Sequence, residues 1–257
     1  MKIQIYNTSA QLGQAAADYT SEILRKAIRE NGNARLLLST GASQFDTIQA
    51  LIQSDVDWSR VEMFHLDEYV NLPETHGASF RKYLKERFIS KVPLKAAYLV
   101  EGSADSISSL SAELRKSPID VGLIGIGENA HIAFNDPPAN FDTDDAYIVV
   151  NLSDTCRAQQ VGEGWFPTPA DVPGQAVSMT VHQIMQCKRI VSCVPYAVKA
   201  QAVKDTLENT LTPDVPATML KRHKDFSLFL DSDSASLINR DKIIADSDME
   251  YTLEIFE

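Results

Sequence analysis

The fold class is decided by residues 35–52, RLLLSTGASQFDTIQALI. The apolar run at the start of this stretch predicts a buried strand, and Thr40–Ser43 predicts a tight turn. Apolar residues then recur every three or four positions, as on one face of a helix. Ser43 and Asp46 have the spacing of a capping box, so the helix is expected to begin at Ser43. Strand, turn and helix in this order form the start of a βαβ unit.

The same alternation of strands and helices extends in both directions from this unit. An amphipathic helix is predicted before it, over residues 9–30. Further strands are predicted at 61–66, 119–126, 147–151, 176–180, 189–194 and 226–230, with helices around 80–88, 107–114 and 197–208. Such alternation is typical of a parallel sheet covered on both faces. We therefore predict an α/β fold of three layers, α/β/α, with a largely parallel, Rossmann-like sheet. Since no repeat or linker interrupts the chain, we expect one domain over residues 1–257.

The composition narrows the function classes. The chain has 257 residues and a formal net charge of −11, from 24 Lys and Arg against 35 Asp and Glu. This acidity disfavours nucleic acid and anionic membranes as partners. Every apolar run is far shorter than the roughly 20 residues of a spanning helix. The first residues lack the apolar core of a signal peptide, and the three cysteines show no metal-ligand spacing. We expect a cytoplasmic protein without a metal site.

Four loops carry the candidate functional residues, because ligands bind at the carboxyl ends of the strands in such a sheet. These loops are residues 40–43, 67–73, 125–138 and 195–199. The third loop begins GIGENA, which fits a dinucleotide-binding pattern. A proline pair follows at Pro137 and Pro138, where that pattern requires a continuing helix. We therefore favour close approach of the backbone to some other ligand as the use of these glycines.

Polar side chains in two of these loops are suited to proton transfer. Asn129, His131 and Asp136 place an amide, an imidazole and a carboxylate within eight positions. The alternative is a loop in which these side chains only satisfy backbone groups. Asp67 and Glu68 follow another strand, and their pattern alone is more typical of a solvated pair of acids in a turn.

Taken together, the loops resemble the glucosamine-6-phosphate deaminase (isomerase) family, within the superfamily shared with 6-phosphogluconolactonases. The most specific matches are DEYVNLP at 67–73 and GENAHIAFNDP at 127–137. Supporting matches are TGAS at 40–43, DVPGQAVSMTV at 171–181, the turn at Lys199 and PATMLKRH at 216–223. These pieces occur in order across nearly the whole chain.

The resemblance implies conversion of an amino sugar phosphate to fructose 6-phosphate and ammonia without a cofactor. Asp67 matches the carboxylate that moves a proton between C2 and C1 of the opened sugar. His131 matches the acid and base of ring opening, with Asn129 and Asp136 in the positions of its two polar partners. Many members have Asp at the first of these positions and Glu at the second.

The resemblance also implies a phosphate site. Thr40, Gly41, Ala42 and Ser43 match a turn whose N–H groups hold the phosphate, and Lys199 matches a cation that pairs with it. Glu68, in the same motif as Asp67, is expected to contact the substrate. Gly164 stands where these deaminases place a phosphate-binding arginine, and Arg157 lies seven residues upstream as a candidate replacement.

Several alternatives stay open at this stage. A 6-phosphogluconolactonase-type hydrolase is the main one, although Tyr69 and residues 133–137, AFNDP, favour the deaminases. The other two are a galactosamine-6-phosphate deaminase and a non-catalytic module that binds a sugar phosphate. The basic pattern by which some members bind an allosteric sugar phosphate is absent from residues 138–147, and the sequence does not decide whether the chain forms a homo-oligomer.

Overall fold

The structure, a computed structural model, describes residues 1–244 and 250–256. Its strands are β1 (Lys2–Tyr6), β2 (Ala34–Leu38), β3 (Val61–His65), β4 (Asp67–Tyr69), β5 (Ala96–Tyr98), β6 (Val121–Leu123), β7 (Tyr147–Asn151), β8 (Gln175–Met179), β9 (Ile190–Val194), β10 (Phe226–Asp231) and β11 (Thr252–Ile255). Its helices are α1 (Ser9–Asn31), α2 (Phe45–Leu51), α3 (Phe80–Leu84), α4 (Ala104–Arg115), α5 (Asp154–Gly162), α6 (Val181–Ile184) and α7 (Ala200–Glu208). A π-helical turn, Lys85–Ile89, extends α3.

Eight strands form a central sheet in the order β11-β1-β10-β9-β6-β2-β3-β5, and all of its pairings are parallel. Successive side chains of a strand point to opposite faces. Leu36 and Leu38 accordingly pack in one apolar cluster with α1, α2 and α3, whereas Leu37 packs in another with α4 and α7. Helices thus cover both faces of the sheet, which confirms the predicted three-layer α/β/α fold.

Helix α1 is the element that the sequence locates best. Thr8 caps its first turn by accepting a hydrogen bond from the N–H of Gln11, at 3.2 Å. Gly32 ends it in the left-handed conformation, at φ 79°, as expected for a glycine after a helix.

The predicted start of the second helix is wrong. The chain first makes a 3₁₀ turn over Ala42–Gln44, and α2 begins at Phe45 without a side-chain cap. The hydroxyl of Ser43 instead accepts a hydrogen bond from the side-chain amide of Gln44, at 3.0 Å.

A second, antiparallel sheet lies outside the main sheet and was not predicted. It has three strands in the order β4-β8-β7, and it contains the segments around 147–151 and 176–180. Its first strand carries Asp67, which pairs with Ser178. Across the described residues, none of the helices has both the length and the apolar character needed to cross a membrane.

Candidate active site

One pocket lies where the loops after β2, β3, β6 and β9 meet. These four strands are neighbours in the sheet, so their carboxyl ends share one edge. The pocket is lined by Thr40–Ser43, Asp67, His131 and Lys199, among other residues. The structure therefore brings together candidate residues from all four loops.

His131 is held by two polar partners on its own loop. Its Nδ1 lies 2.5 Å from Oδ1 of Asn129 and 3.3 Å from Oδ1 of Asp136. The amide N–H of Asn129 donates to that same carboxylate oxygen, at 3.2 Å, and the amide oxygen accepts a hydrogen bond from Nδ1–H of His131. This arrangement leaves Nε2 as the nitrogen that exchanges protons within the pocket.

The backbone of this loop is shaped around the imidazole. A Cβ atom added to Gly127 would overlap the ring of His131. Ala130 and Ala133 adopt left-handed conformations, at φ 61° and 52°, which side chains other than glycine's rarely adopt. The absence of a side chain at Gly127 therefore makes room for the imidazole of His131. No helix of the described chain begins in residues 125–138, so the dinucleotide pattern has no counterpart in the fold.

Asp136 is a strongly acidic carboxyl group. Burial raises its pKa, but hydrogen bonds with His131, Ser153 and Asn129 outweigh burial and lower the pKa to about 2. Asp136 is therefore an anion at neutral pH, and it faces the Nδ1 side of the imidazole.

Asp67 has the opposite electrostatics. Burial raises its pKa well above the ordinary value, and the negative charge of Glu68 raises it further. The side chain is 5% exposed and lines the pocket, so it is not part of a solvated turn. A carboxyl group with a raised pKa is a stronger base once it is ionised.

The structure does not bring Glu68 to the pocket. Its side chain is fully buried, and Oε1 accepts hydrogen bonds from the N–H groups of Tyr69 and Phe80, at 2.9 and 3.2 Å. Its Oε2 accepts from the hydroxyl of Ser79 and pairs with the guanidinium of Arg81, at 2.9 and 3.1 Å. Glu68 thus anchors the start of α3 and is not among the lining residues of the pocket, and its contact with substrate stays a prediction.

Lys199 supplies the positive charge of the pocket. Within residues 1–244 and 250–256 it is the only lysine or arginine in the lining. Burial lowers its pKa, while the carboxylates of Glu163 and Glu128 oppose that effect. Arg157 is not in the lining and pairs with Asp154, at 2.5 Å.

One wall of the pocket comes from α5, which the sequence did not predict. Gln159, Gln160, Glu163 and Trp165 line the pocket from this helix and the turn after it. The carboxylate of Glu163 accepts hydrogen bonds from Nε2 of Gln159 and Nε1 of Trp165, at 2.7 and 3.0 Å. Only Cys156 and Gln160 of α5 are buried, so the segment has too few apolar positions to show a helical period.

An imidazole and a separate buried carboxylate facing one pocket define an acid–base site at the edge of an α/β sheet. Residues 7–229 match the family described as glucosamine-6-phosphate isomerases/6-phosphogluconolactonase. The chain belongs to this family.

Curated relatives and solved structures agree with this placement. The chain is 33% identical to the glucosamine-6-phosphate deaminase of Oenococcus oeni, over 93% of this chain and all of that protein. It is 36% identical to that of Streptococcus suis, over 92% of this chain and 99% of that protein. A monomeric glucosamine-6-phosphate deaminase matches the structure with a TM-score of 0.84 at 29% identity, over 93% of this chain and all of that chain. A 6-phosphogluconolactonase from Trypanosoma brucei shares the fold, with a TM-score of 0.75 at 17% identity, over 93% of this chain and 98% of that chain.

Proposed function

We propose that the protein is a glucosamine-6-phosphate deaminase, which converts glucosamine 6-phosphate and water to fructose 6-phosphate and ammonia. One observation carries the proposal: a buried carboxylate, Asp67, and a partnered imidazole, His131, line the same pocket but come from different loops. This reaction needs two separate groups that transfer protons. Relatives at 33% and 36% identity carry the name of this enzyme.

His131 and Asp67 transfer protons in different steps of the reaction. His131 moves protons between the ring oxygen and O1 as the sugar ring opens, with Asn129 and Asp136 holding its Nδ1 side. Asp67 takes the proton from C2 of the opened sugar and returns a proton to C1. Water then adds to C2 of the resulting ketimine, and ammonia leaves from the same carbon. The raised pKa of Asp67 supports its role as the base.

The proposed phosphate site lies between Thr40–Ser43 and Lys199, which line the same pocket as Asp67 and His131. Thr40–Ser43 present backbone N–H groups there, and the buried Lys199 pairs with the anion. Because burial lowers the pKa of Lys199, the opposing carboxylates of Glu163 and Glu128 help to keep this lysine charged before substrate arrives. No arginine lines the pocket in the described residues, so Lys199 is the cation left to pair with the phosphate where Gly164 replaces the expected arginine.

The hydrolase alternative is disfavoured by the environment of Tyr69. The resemblance places an arginine at this position in 6-phosphogluconolactonases. Here the buried Tyr69 ring packs against Phe80, Phe134 and Phe166, and its hydroxyl donates to Gln160 at 2.6 Å. The arginine of the 6-phosphogluconolactonases therefore has no counterpart at this position, which an aromatic cluster occupies.

Parallel assays test the proposal. The purified protein is incubated with glucosamine 6-phosphate, galactosamine 6-phosphate and 6-phosphogluconolactone, while ammonia release and ester hydrolysis are followed. We expect ammonia from glucosamine 6-phosphate above all. Ester hydrolysis without ammonia would establish the hydrolase, ammonia mainly from the second substrate would establish the other epimer, and turnover of none would leave a binding module.

We further propose that residues 1–257 form one domain that works in the cytoplasm. Whether copies assemble into a homo-oligomer stays a prediction that light scattering on the purified protein measures. The solved relative with the TM-score of 0.84 is described as monomeric.

A further inference from the structure

The carboxylate of Asp136 has a partner outside the catalytic loop. The hydroxyl of Ser153 donates to Oδ2 at 2.7 Å, and the N–H of the same residue approaches that oxygen at 3.4 Å. The other oxygen of Asp136, Oδ1, contacts Asn129 and His131. The two oxygens are thus divided: one faces Ser153 and the other faces the imidazole pair.

Ser153 is itself fixed in place by helix α5. It is the N-cap residue of this helix, and its Oγ accepts a hydrogen bond from the N–H of Cys156 at 3.1 Å. A hydroxyl that accepts from the helix has its proton free to donate, and that proton is directed to Asp136. The cap therefore sets the direction of the donation.

We propose that Ser153 is a positioning residue for ring opening: by donating to Oδ2 of Asp136 it turns Oδ1 toward Nδ1 of His131 and holds the imidazole in its reacting orientation. This inference rests on the proposed deaminase activity. The contacts on Oδ1 are long, at 3.3 Å to Nδ1 of His131 and 3.2 Å to the amide of Asn129, so they hold the carboxylate only loosely. A second anchor on the far oxygen restricts the rotation of the carboxylate.

Side chains from the catalytic loop and from α5 surround the carboxylate of Asp136. His131 and Asn129 contact it from its own loop, and Ser153 contacts it from α5. The Cys156 thiol on α5 also interacts with it, and burial raises the pKa of that thiol, so it is uncharged at neutral pH. Of these neighbours, Ser153 donates to the oxygen that does not face His131.

Three substitutions separate this role from helix capping. Ser153→Ala removes both the donor and the cap. Ser153→Asp keeps a capping side chain but replaces the donor with an acceptor that repels Asp136. Ser153→Thr keeps both functions. Thr8→Ala is the matched control, because it removes the N-cap of α1, far along the chain from α5 and outside the pocket lining.

The first experiment compares the rates of two reactions. The kcat for ammonia release from cyclic glucosamine 6-phosphate is compared with exchange of the C1 hydrogens of fructose 6-phosphate in deuterated water containing ammonium. We expect Ser153→Ala and Ser153→Asp to lower kcat by roughly 10- to 150-fold, the range for losing one hydrogen bond to a charged group, while exchange changes less than about threefold. Ser153→Thr should recover most of the rate, and Thr8→Ala should resemble wild type.

Titration of Asp136 by carbon NMR is the second measurement, and it needs no turnover. The hydrogen bond from Ser153 helps to hold the pKa of Asp136 at about 2, so this pKa should rise in Ser153→Ala and stay low in Ser153→Thr. Equal losses of ammonia release and exchange, or an unchanged titration in Ser153→Ala, would overturn the proposal. Failure of wild type to release ammonia would instead overturn the deaminase function on which it rests.

Discussion

Replacing Asp67 with Asn tests the proposed base with little change of shape. The amide has the size and polarity of the carboxylate but does not take a proton from C2. General base catalysis contributes about 10²- to 10⁴-fold, so ammonia release from glucosamine 6-phosphate should fall by roughly that factor. A coupled assay of ammonia release at saturating substrate measures the change in kcat.

The same substitution should stabilise the fold at neutral and alkaline pH. The folded-state pKa of Asp67 is raised, so the folded state binds this proton more tightly than the unfolded chain does. Stability therefore falls as pH rises from the unfolded pKa of about 3.9 to the folded pKa, and the full cost is present above the latter. Each unit of the raised pKa costs about 1.4 kcal/mol there, and Asp67→Asn removes that cost.

Urea unfolding at pH 4 and pH 8 measures this second effect. The advantage of Asp67→Asn over wild type should be large at pH 8 and close to zero at pH 4. Asp144→Asn is a matched control, because it removes the same charge from an exposed position. A variant that is both active at the wild-type rate and no more stable at pH 8 would refute the assignment of Asp67 as a buried, high-pKa base.

Three further predictions concern the other parts of the pocket. His131→Gln should slow ammonia release by roughly 10²- to 10⁴-fold but spare hydrogen exchange at C1 of fructose 6-phosphate. Equal losses in the two assays would contradict the separate roles of His131 and Asp67. Lys199→Ala should raise KM by roughly 10- to 150-fold, with partial recovery in Lys199→Arg, and Arg157→Ala should leave KM unchanged; the reverse pattern would make Arg157 the phosphate ligand. Gly127→Ala should cost about 100-fold in kcat, since its Cβ displaces the His131 ring, and a wild-type rate would contradict that packing.

Most of the fold could be predicted because its signals are local. Helix α1 has a clear apolar period and a glycine stop, and β3, β9 and β10 are short apolar runs that fall within two residues of their predicted bounds. The antiparallel sheet could not be predicted in this way. Its strand β4 has only three residues and carries Asp67 and Glu68, whose charges are not typical of a buried strand.

The candidate site was predicted where a motif carries it and missed where tertiary contacts create it. The residues around His131 lie within one loop, so their sequence spacing places them close together. Glu68 was assigned to the substrate because it neighbours Asp67, but successive residues of a strand face opposite sides, and its side chain turns toward Arg81. Glu163 reaches the pocket only because α5 folds across it, and no local pattern reports such a contact.

The three-stranded antiparallel sheet connects the two loops that carry Asp67 and His131, and so keeps these residues at a fixed separation. Asp67 pairs with Ser178 of β8, and the hydroxyl of Ser178 accepts a hydrogen bond from the N–H of Phe134, at 3.0 Å, in the loop that carries His131. Asn135 of that loop donates to the carbonyl of Met179, at 2.8 Å. Strand β8 thus touches both the base and the imidazole loop. Because Asp67 and the left-handed alanines of that loop are each unfavourable alone, a shared rigid support is what allows both to persist at one pocket.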